Sequence, residues 1–211
     1  TAEIERAQST AFTVPNEMAV RHRRRIRCLV CSRVATACFD TQNLQVKFPQ
    51  MVQLLIIYHS RTGGSLQMAE AALASAQEEV NASLKSAADA EPDDLLNADG
   101  YIFCAPENLA AISGVMKAFF DRCYYPVLGR IEGRPYAQMV CAGSDGENAA
   151  RQTARIAKGW RLREVQEPLI ICTNAQTTEE ILAPKTLSSD QLEPCRDLGA
   201  AMGAGLSLGV F

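Results

Sequence analysis

The sequence predicts an α/β protein with an open parallel sheet that carries helices on both faces, a three-layer α/β/α arrangement. Four apolar runs of five or six residues each read as strands, at residues 54–58, 101–105, 136–141 and 169–173. Unbroken runs of this length suit strands that are buried on both faces. Patterns with a helical period lie between the runs, and alternating strands and helices build a parallel sheet with right-handed crossovers.

The first predicted helix begins directly after a polar loop. Its apolar residues recur at steps of three and four, which is the period of a buried helical stripe. Ser65 is predicted to cap its amino end. The predicted stripe consists of Leu66, Ala69, Leu73, Ala76 and Val80.

The middle of the chain gives weaker signals but keeps the alternation. Residues 80–84 predict a short edge strand, and Pro92 predicts the first residue of a short helix. Residues 106–111 are predicted to be a loop because they contain Pro106 and Asn108.

Three further helices are predicted in the second half of the chain. The last begins with a capping box, Ser188-x-x-Gln191. The strand over residues 169–173 is predicted to extend backwards past Pro168 to Leu162. The residues predicted to face inward are Ile112, Val115, Met116, Phe119, Phe120 and Cys123 in the first of these helices, Ala149, Ala150, Thr153, Ile156 and Ala157 in the second, and Leu192, Cys195, Leu198 and Met202 in the third.

Charge is distributed unevenly along the chain. The net charge is −3, but residues 1–50 hold eight Lys or Arg and four Asp or Glu, about +4, so residues 51–211 carry about −7. An acidic domain does not favour nucleic-acid binding, which needs a basic surface. No apolar run approaches the roughly 20 residues that span a bilayer, so no membrane span is predicted.

Residues 1–50 are predicted to be a disordered basic extension, separate from a domain over residues 51–211. The segment contains the block Arg21-His-Arg-Arg-Arg-Ile-Arg27. Three interpretations stay open: a basic arm that touches anionic partners, a targeting peptide, or a segment foreign to the natural protein. In the third case the natural start would be Met51, which stands directly before the first strand.

Cysteine usage favours reduced thiols and a cytoplasmic protein. Three of the eight cysteines lie in predicted strands, where Cys behaves as a small hydrophobic residue. We see no continuous apolar segment that leads to a small-residue cleavage site, and thiols stay reduced in the cytoplasm. No metal site is predicted, because the spacing of the remaining candidates matches no standard zinc site. Those candidates are His22, Cys28, Cys31 and Cys38.

Three loops that follow strands are rich in small and polar residues: residues 59–65, 106–111 and 142–146. Ligands of open α/β sheets bind beyond the carboxyl ends of the strands, so the three loops predict one site. The first loop holds two glycines, three hydroxyls and one Arg but no acid. Its backbone N–H groups and the helix that follows favour an anion. We therefore interpret it as a phosphate-binding loop.

Two nucleotide motifs are excluded by what this loop lacks. A Walker A loop needs a Lys before its Ser or Thr, and Gly63-Gly-Ser65 has none. The dinucleotide fingerprint needs G-x-G-x-x-G after the first strand, and that spacing is missing too. Gly203-x-Gly205 lies in the last predicted helix and is interpreted as a sign of helix packing or of fraying at the helix end. An acidic cluster of the kind that accepts phosphate in receiver domains is also absent from the loop.

The two leading motifs resemble those of one superfamily. Ser60-Arg-Thr-Gly-Gly-Ser65 resembles the S/T-x-T-G-x-T/S phosphate loop of flavodoxins. Pro106-Glu-Asn, followed by Ser113-Gly-Val-Met-Lys-Ala-Phe-Phe-Asp121, resembles the second loop and helix of flavodoxin-like flavin and quinone reductases. The resemblance covers residues 51–172 well and the rest loosely. It implies a flavodoxin-like doubly wound sheet of about five parallel strands in the order 2-1-3-4-5, with FMN as the cofactor.

The resemblance also implies roles for individual residues. The first loop would hold the 5′-phosphate of FMN, and the second and third loops would line the two sides of the flavin ring. Transfer of a hydride to the flavin ring requires no side-chain acid or base, so no catalytic residue is named. The implied cofactor-binding residues are Ser60, Arg61, Thr62, Gly63, Gly64, Ser65, Pro106, Glu107, Asn108, Leu109, Ala142, Gly143, Ser144, Asp145 and Gly146.

The activity implied is that of an NAD(P)H-dependent FMN or quinone reductase, with NAD(P)H as co-substrate and a quinone or flavin as acceptor. Electron-carrier flavodoxins usually stack aromatic residues on the ring, but the loops at 106–111 and 142–146 contain none, and Tyr124 and Tyr125 are the nearest candidates. An open ring face favours the reductase. The acidity of residues 51–211 favours the alternative, an electron carrier between protein partners. The resemblance further implies a homo-oligomer.

Overall fold

The computed structural model describes residues 51–211. The predicted basic extension over residues 1–50, together with His22 and the three cysteines near it, lies outside the described residues.

One sheet of mostly parallel strands forms the centre of the domain. Its strands are β1 (Gln53–Tyr58), β2 (Asn81–Ser86), β3 (Gly100–Asn108), β4 (Ala111–Ile112), β5 (Pro135–Ala142), β6 (Arg163–Glu164) and β7 (Leu169–Cys172). The path runs β2-β1-β3-β5, and β6 and β7 both pair in parallel with β5. β6 and β7 thus share the fifth position, while β4 is a short antiparallel branch on β3. The predicted order 2-1-3-4-5 of five parallel strands is therefore confirmed.

Residues 51–211 form six helices. They are α1 (Gly64–Ala76), α2 (Pro92–Asn97), α3 (Gly114–Val127), α4 (Glu147–Gly159), α5 (Thr178–Leu182) and α6 (Ser189–Ser207). Pro92 opens α2, and Ser188 and Gln191 form a capping box at α6, both as predicted. No helix within residues 51–211 is long and apolar enough to cross a bilayer.

Alternation along β1 separates two cores, one on each face of the sheet. Leu55 and Ile57 pack into the core under α3 and α4, and Leu54 and Ile56 into the core under α1 and α6. Because side chains of a strand point alternately to opposite faces, four consecutive buried residues require both faces to be covered. The α3 side is rich in stacked and tilted aromatic rings, from Tyr101, Phe103, Phe119, Phe120, Tyr136 and Trp160.

The amino end of α1 differs from the prediction. Gly63, not Ser65, is the N-cap, with φ at +95°. This left-handed conformation is one that glycine adopts without a steric penalty. Ser65 lies inside the first turn and is buried.

The buried stripe of α1 is only partly the predicted one, because α1 packs against α6 as well as against the sheet. Leu66 and Leu73 are half-buried, whereas Met68 and Ala72 are fully buried. A Cβ added to Gly199 of α6 would lie 2.1 Å from the carbonyl oxygen of Ala72. The two helices therefore approach to a distance that only glycine allows.

Gly203 and Gly205 are confirmed as packing residues of α6. A Cβ on Gly203 would lie 3.1 Å from the Ala76 carbonyl oxygen, and one on Gly205 would lie 2.2 Å from the Phe211 ring. At both positions the absence of a side chain lets a neighbouring group pack closely against the helix.

Residues 106–111 form a hairpin and not the predicted loop. β3 continues to Asn108 and turns through Leu109 and Ala110 into β4, with Asn108 opposite Ala111. Both turn residues have positive φ, 53° and 56°. Turns of this kind usually contain Asn-Gly or Asp-Gly, so Leu-Ala gave no signal for one.

The same hairpin shifts the start of the next helix. Ile112, predicted as the first inward-facing helical residue, belongs to β4, and α3 begins at Gly114. Val115 is 38% exposed and not part of the stripe. The remaining stripe residues, Met116, Phe119, Phe120 and Cys123, are buried as predicted.

The strand predicted to run backwards past Pro168 is interrupted. β6 pairs with Pro135 and Tyr136, and β7 with residues 139–142, so the two pieces are collinear partners of β5. Pro168 lies between them. A proline lacks the N–H that a continuous ladder needs.

Candidate functional site

A cleft opens beyond the carboxyl ends of the central strands. Its cavity volume is about 80 Å³. This volume holds a phosphate-sized group, since about 10–15 Å³ suffices for one water, and a larger ligand would extend past the mouth. The lining residues are Ser60, Arg61, Thr62, Ser65, Pro106, Glu107, Asn108, Cys141, Ala142, Gly143, Thr173, Ala175, Ile181, Leu182 and Lys185.

The loop between β1 and α1 forms the inner wall. The Ser60 hydroxyl accepts a hydrogen bond from the Gly63 N–H at 3.1 Å, which closes a tight turn. Gly64 approaches Cys141 so closely that a Cβ would lie 2.6 Å from its Sγ. The first backbone N–H groups of α1 have no acceptor within the helix, so they are available to an anion.

Ser65 is the most informative residue of this wall. Its side chain is 1% exposed, and its Oγ has no hydrogen-bond partner. Its polar neighbour is the Cys141 thiol, which interacts with the hydroxyl but is a weak donor and acceptor and does not satisfy it by the geometry of a hydrogen bond. Leaving a buried hydroxyl unpaired costs about 1–3 kcal/mol. The cleft therefore presents a hydroxyl that is ready to donate to a bound oxygen.

The second wall comes from the β3 end of the hairpin. Pro106, Glu107 and Asn108 are half-buried there. Glu107 Oε1 is buried and has no partner either. It is an acceptor that can receive an N–H or O–H from a ligand.

The third wall is the end of β5 and the residue after it. Ala142 and Gly143 are small, so backbone forms most of this surface. The backbone N–H of Thr173 donates to Ala142 O at 2.9 Å, and that of Asn174 donates to Gly143 O at 2.7 Å. These bonds hold the segment after β7 against the third wall.

Nine of the fifteen predicted residues line the cleft, and six do not. Gly63 and Gly64 shape the loop from behind. Leu109 is a fully exposed hairpin tip, and Ser144 and Asp145 face solvent. Gly146 is the N-cap of α4, where a Cβ would meet Ile170 at 2.6 Å. Of these six residues, the three glycines allow tight backbone conformations, and the other three are exposed to solvent.

Six lining residues were missed by the sequence prediction. Thr173 and Ala175 follow β7, so the rule that strand ends meet at one edge applies to them as well and would have included them. Cys141 is the penultimate residue of β5. Nothing local in the sequence indicates that the remaining three, Ile181, Leu182 and Lys185, return to the cleft.

Electrostatics keep the cleft thiol neutral. Burial raises the pKa of Cys141, while the nearby Lys185 ammonium and the Ser65 hydroxyl act in the opposite direction. A thiol with a raised pKa stays protonated at neutral pH and is a poor nucleophile. The other cysteines within residues 51–211 are free thiols as well.

His59 and the two tyrosines lie outside the lining. His59 Nδ1 shares a hydrogen bond of 2.9 Å with the hydroxyl of Ser113, and burial lowers the pKa of the imidazole. Tyr124 stacks on Trp160, and Tyr125 is 80% exposed near the far end of α3. Neither tyrosine reaches the cleft, so they do not replace the missing aromatic residues.

Metal chemistry finds no support in the described part of the chain. Within residues 51–211 no group of three or more His, Cys, Asp or Glu side chains is arranged to hold an ion.

The sequence is similar to one protein family and to a flavodoxin. The family model of the NADPH-dependent FMN reductases matches residues 65–176, slightly more than half of the chain. A flavodoxin of Aquifex aeolicus (strain VF5) is 36% identical over 96 residues, which are 44% of this chain and 50% of that protein. The chain thus spans about half the length of this curated relative.

Solved structures agree on the fold. A flavodoxin from the domain Archaea superposes with a TM-score of 0.61 at 17% identity, covering 74% of this chain and 99% of that one. A flavodoxin, WrbA-like protein from Agrobacterium tumefaciens gives 0.56 at 22% identity, covering 75% and 98%. The family match and the shared flavodoxin-like fold agree with each other, and this chain belongs to the NADPH-dependent FMN reductase family.

Proposed function

We propose that this protein is an FMN-dependent oxidoreductase that passes reducing equivalents from NAD(P)H to a quinone or flavin acceptor. The observation that carries the proposal is the buried, unpartnered Ser65 hydroxyl in the first turn of α1, directly after a glycine-containing loop. Hydroxyls, free N–H groups and the positive end of a helix dipole together suit a phosphate.

The residues of the cleft fit FMN. Ser60, Thr62 and Ser65 would donate hydrogen bonds to the 5′-phosphate, and Gly63 and Gly64 would let the backbone approach it. The cavity of about 80 Å³ suits the phosphate end of the molecule. The ring would lie at the mouth, between the wall of Pro106, Glu107 and Asn108 and the wall of Ala142 and Gly143. For Leu109, Ser144, Asp145 and Gly146 we propose a supporting role around these walls.

The protein's part in the reaction is to bind and orient. Bound FMN would supply the redox chemistry, accepting a hydride and releasing electrons singly or in pairs. The Glu107 carboxylate would accept a hydrogen bond from the polar edge of a ligand. The small residues at the third wall would leave space for a second planar molecule. Arg61, exposed at the rim, would attract anionic ligands.

Two observations favour the reductase. The family match is to reductases. Among the described residues that line the cleft none is aromatic, and its largest apolar side chains are those of Ile181 and Leu182. A ring without aromatic stacking is more accessible to NAD(P)H and to an acceptor.

The alternative is an electron carrier that binds FMN and serves protein partners. The relative from Aquifex aeolicus is a flavodoxin by name, which supports this alternative. The charge of about −7 on residues 51–211 suits steering toward a basic partner.

Steady-state turnover separates the two. The flavin-loaded protein is mixed with NADH or NADPH, with a quinone or free flavin as acceptor, and nicotinamide absorbance is followed. We expect repeated turnover with either NADH or NADPH, seen as continuous oxidation of that co-substrate. Reduction only by a partner reductase, without turnover of either nicotinamide, would favour the carrier.

The setting of the reaction is part of the proposal. The free thiols of the described residues support a reducing, cytoplasmic environment. We also propose a homo-oligomer and no nucleic-acid partner, on the basis of the family resemblance and of the acidic domain. Sedimentation of the purified protein tests the assembly.

A further inference from the structure

A segment far away in the sequence is tied to the phosphate loop. Residues 183–187, called the strap below, connect α5 to α6 and pass over the phosphate loop. The Lys185 N–H donates to Thr62 O at 2.7 Å, and the Gln67 side chain donates to Lys185 O at 2.7 Å. Gln67 also accepts from the Leu187 N–H at 3.0 Å. The strap and the loop therefore hold each other in place.

The strap brings a cation to the cleft. Lys185 lines the cavity together with Ser60, Thr62 and Ser65, and its charge is close enough to influence the Cys141 thiol. Its Nζ donates to the backbone carbonyls of Glu180, Ile181 and Ala183 at the end of α5, at 3.3 Å for Ile181 and 2.9 Å for Ala183.

Lys185 differs from the paired lysines of the domain. Lys85 and Lys117 each form an ion pair with an aspartate. Lys185 forms no ion pair among the described residues, although its charge helps to lower the pKa of the Glu180 carboxyl. Its present acceptors are neutral carbonyls, whereas a phosphate carries a full negative charge and adds a Coulombic attraction to the hydrogen bond. A dianion in the cleft can therefore draw the ammonium away from α5.

The net negative charge of the domain makes a cation in the cleft important for binding an anion. Residues 51–211 carry about −7, which opposes the approach of a doubly charged phosphate. The phosphate loop itself contributes only Arg61, which is exposed. Exposed charges are strongly screened, whereas a half-buried one is screened less. Lys185 is the half-buried cation of this cleft.

We propose that Lys185 recognises the charge of the phosphate monoester in this cleft and thereby selects FMN over riboflavin, which lacks the phosphate. This inference rests on the proposed function, because it takes FMN as the ligand. Lys185 contacts the cofactor's binding group and not its reacting atoms, so it is a specificity residue.

The test compares two flavins on four proteins. The dissociation constants of FMN and riboflavin are measured by flavin fluorescence for the wild type and for Lys185→Met, Lys185→Arg and Lys158→Met. Lys158 is an exposed lysine of α4 that does not line the cleft, so its variant removes the same charge elsewhere. We expect Lys185→Met to weaken FMN about 10-fold to 100-fold, the range of one charge-assisted hydrogen bond.

Riboflavin affinity should stay within about twofold in every variant, because the missing phosphate removes the interaction. Lys185→Arg should retain most of the FMN affinity, and Lys158→Met should match the wild type. FMN affinity of Lys185→Met should also depend less on salt than that of the wild type.

Three results would overturn the inference. Unchanged FMN affinity in Lys185→Met would show that the ammonium does not meet the phosphate. Equal weakening of FMN and riboflavin would show that the Lys185 side chain acts only by holding the end of α5 in place. If the wild type bound neither flavin, the proposed function itself would fail, and the inference would fail with it.

Discussion

Ser65 and Ser113 are both almost fully buried, at 1% and 0% exposure, yet only Ser113 has a hydrogen-bond partner. Replacing Ser65 with Ala removes an unpaired hydroxyl, so the flavin-free protein should keep its free energy of unfolding or gain up to about 1 kcal/mol. FMN affinity should fall about tenfold, because the donor to the phosphate is lost. Urea denaturation and FMN titration measure the two effects.

Ser113→Ala is the matched control. It leaves His59 Nδ1 unpaired and should cost about 1–2 kcal/mol of unfolding free energy, with little effect on FMN affinity. Equal destabilisation by Ser65→Ala and Ser113→Ala would contradict the assignment of Ser65 as an unpartnered group awaiting a ligand.

His59 makes stability depend on pH. Burial lowers its pKa below the ordinary value of 6.5, so below about pH 6.5 the unfolded chain binds more protons at this site than the folded one. The contribution of neutral His59 is therefore fully present above that pH and is lost as the pH falls further. In His59→Gln this part of the decline should disappear. Urea denaturation at about pH 7.5 and about pH 5.5 tests it; identical declines in both proteins would exclude His59 as the cause.

Residues of the cleft were predictable where they follow strands in the sequence. Ser60, Thr62 and Ser65 are adjacent to an apolar run and carry a phosphate-loop pattern. Lys185 is not, because its position depends on the path of the strap back to the loop, and the bonds to Thr62 and Gln67 join residues more than one hundred positions apart.

The hairpin that links β3 to β4 holds two non-glycine residues in the left-handed region. An L-residue pays roughly 1–2 kcal/mol in this conformation, and glycine does not. Ala110→Gly should therefore raise the free energy of unfolding by about 0.5–1 kcal/mol, after the entropy of glycine is subtracted. Thermal denaturation measures the change.

Ala118→Gly provides the control for this change on an element of regular geometry. Ala118 is exposed on α3, where φ is helical, and glycine there should cost about 1 kcal/mol. If Ala110→Gly lowered the melting temperature as Ala118→Gly does, the strain assigned to the hairpin would be refuted.

Elements with strong periodicity or caps were predictable, and those set by long-range contact were not. The capping box of α6 and the proline at α2 act within one turn, so the sequence displays them. The buried face of α1 depends on α6, which approaches through Gly199 from the other end of the domain. The turn at Leu109 and Ala110 lacked its usual residues, so the pattern indicated a loop.

The whole domain carries its core and its cleft within residues 51–211. Residues of this part pack both faces of the sheet, and they supply the fifteen described lining residues of the cleft. We therefore expect a protein truncated to residues 51–211 to keep the melting temperature and the FMN affinity of the full chain. Calorimetry and flavin titration of the two proteins test this. A lower melting temperature after truncation would mean that residues 1–50 contribute to stability.

At this scale the sheet order was predictable because the resemblance supplied it and the buried runs supplied the strands. Sequence periodicity alone gave a parallel sheet without its order. The fifth strand position was predicted less well. It is divided into β6 and β7 at Pro168, which has no backbone N–H to donate to the neighbouring strand.

The central claim is that the cleft binds FMN through its phosphate loop, and the most direct measurement is a fluorescence titration of the flavin-free full chain with FMN. We expect saturable binding at one FMN per chain, weakened at least about tenfold in the double variant Thr62→Ala with Ser65→Ala, because two donors to the phosphate are lost. The absence of saturable binding, or an unchanged affinity in the double variant, would contradict the account.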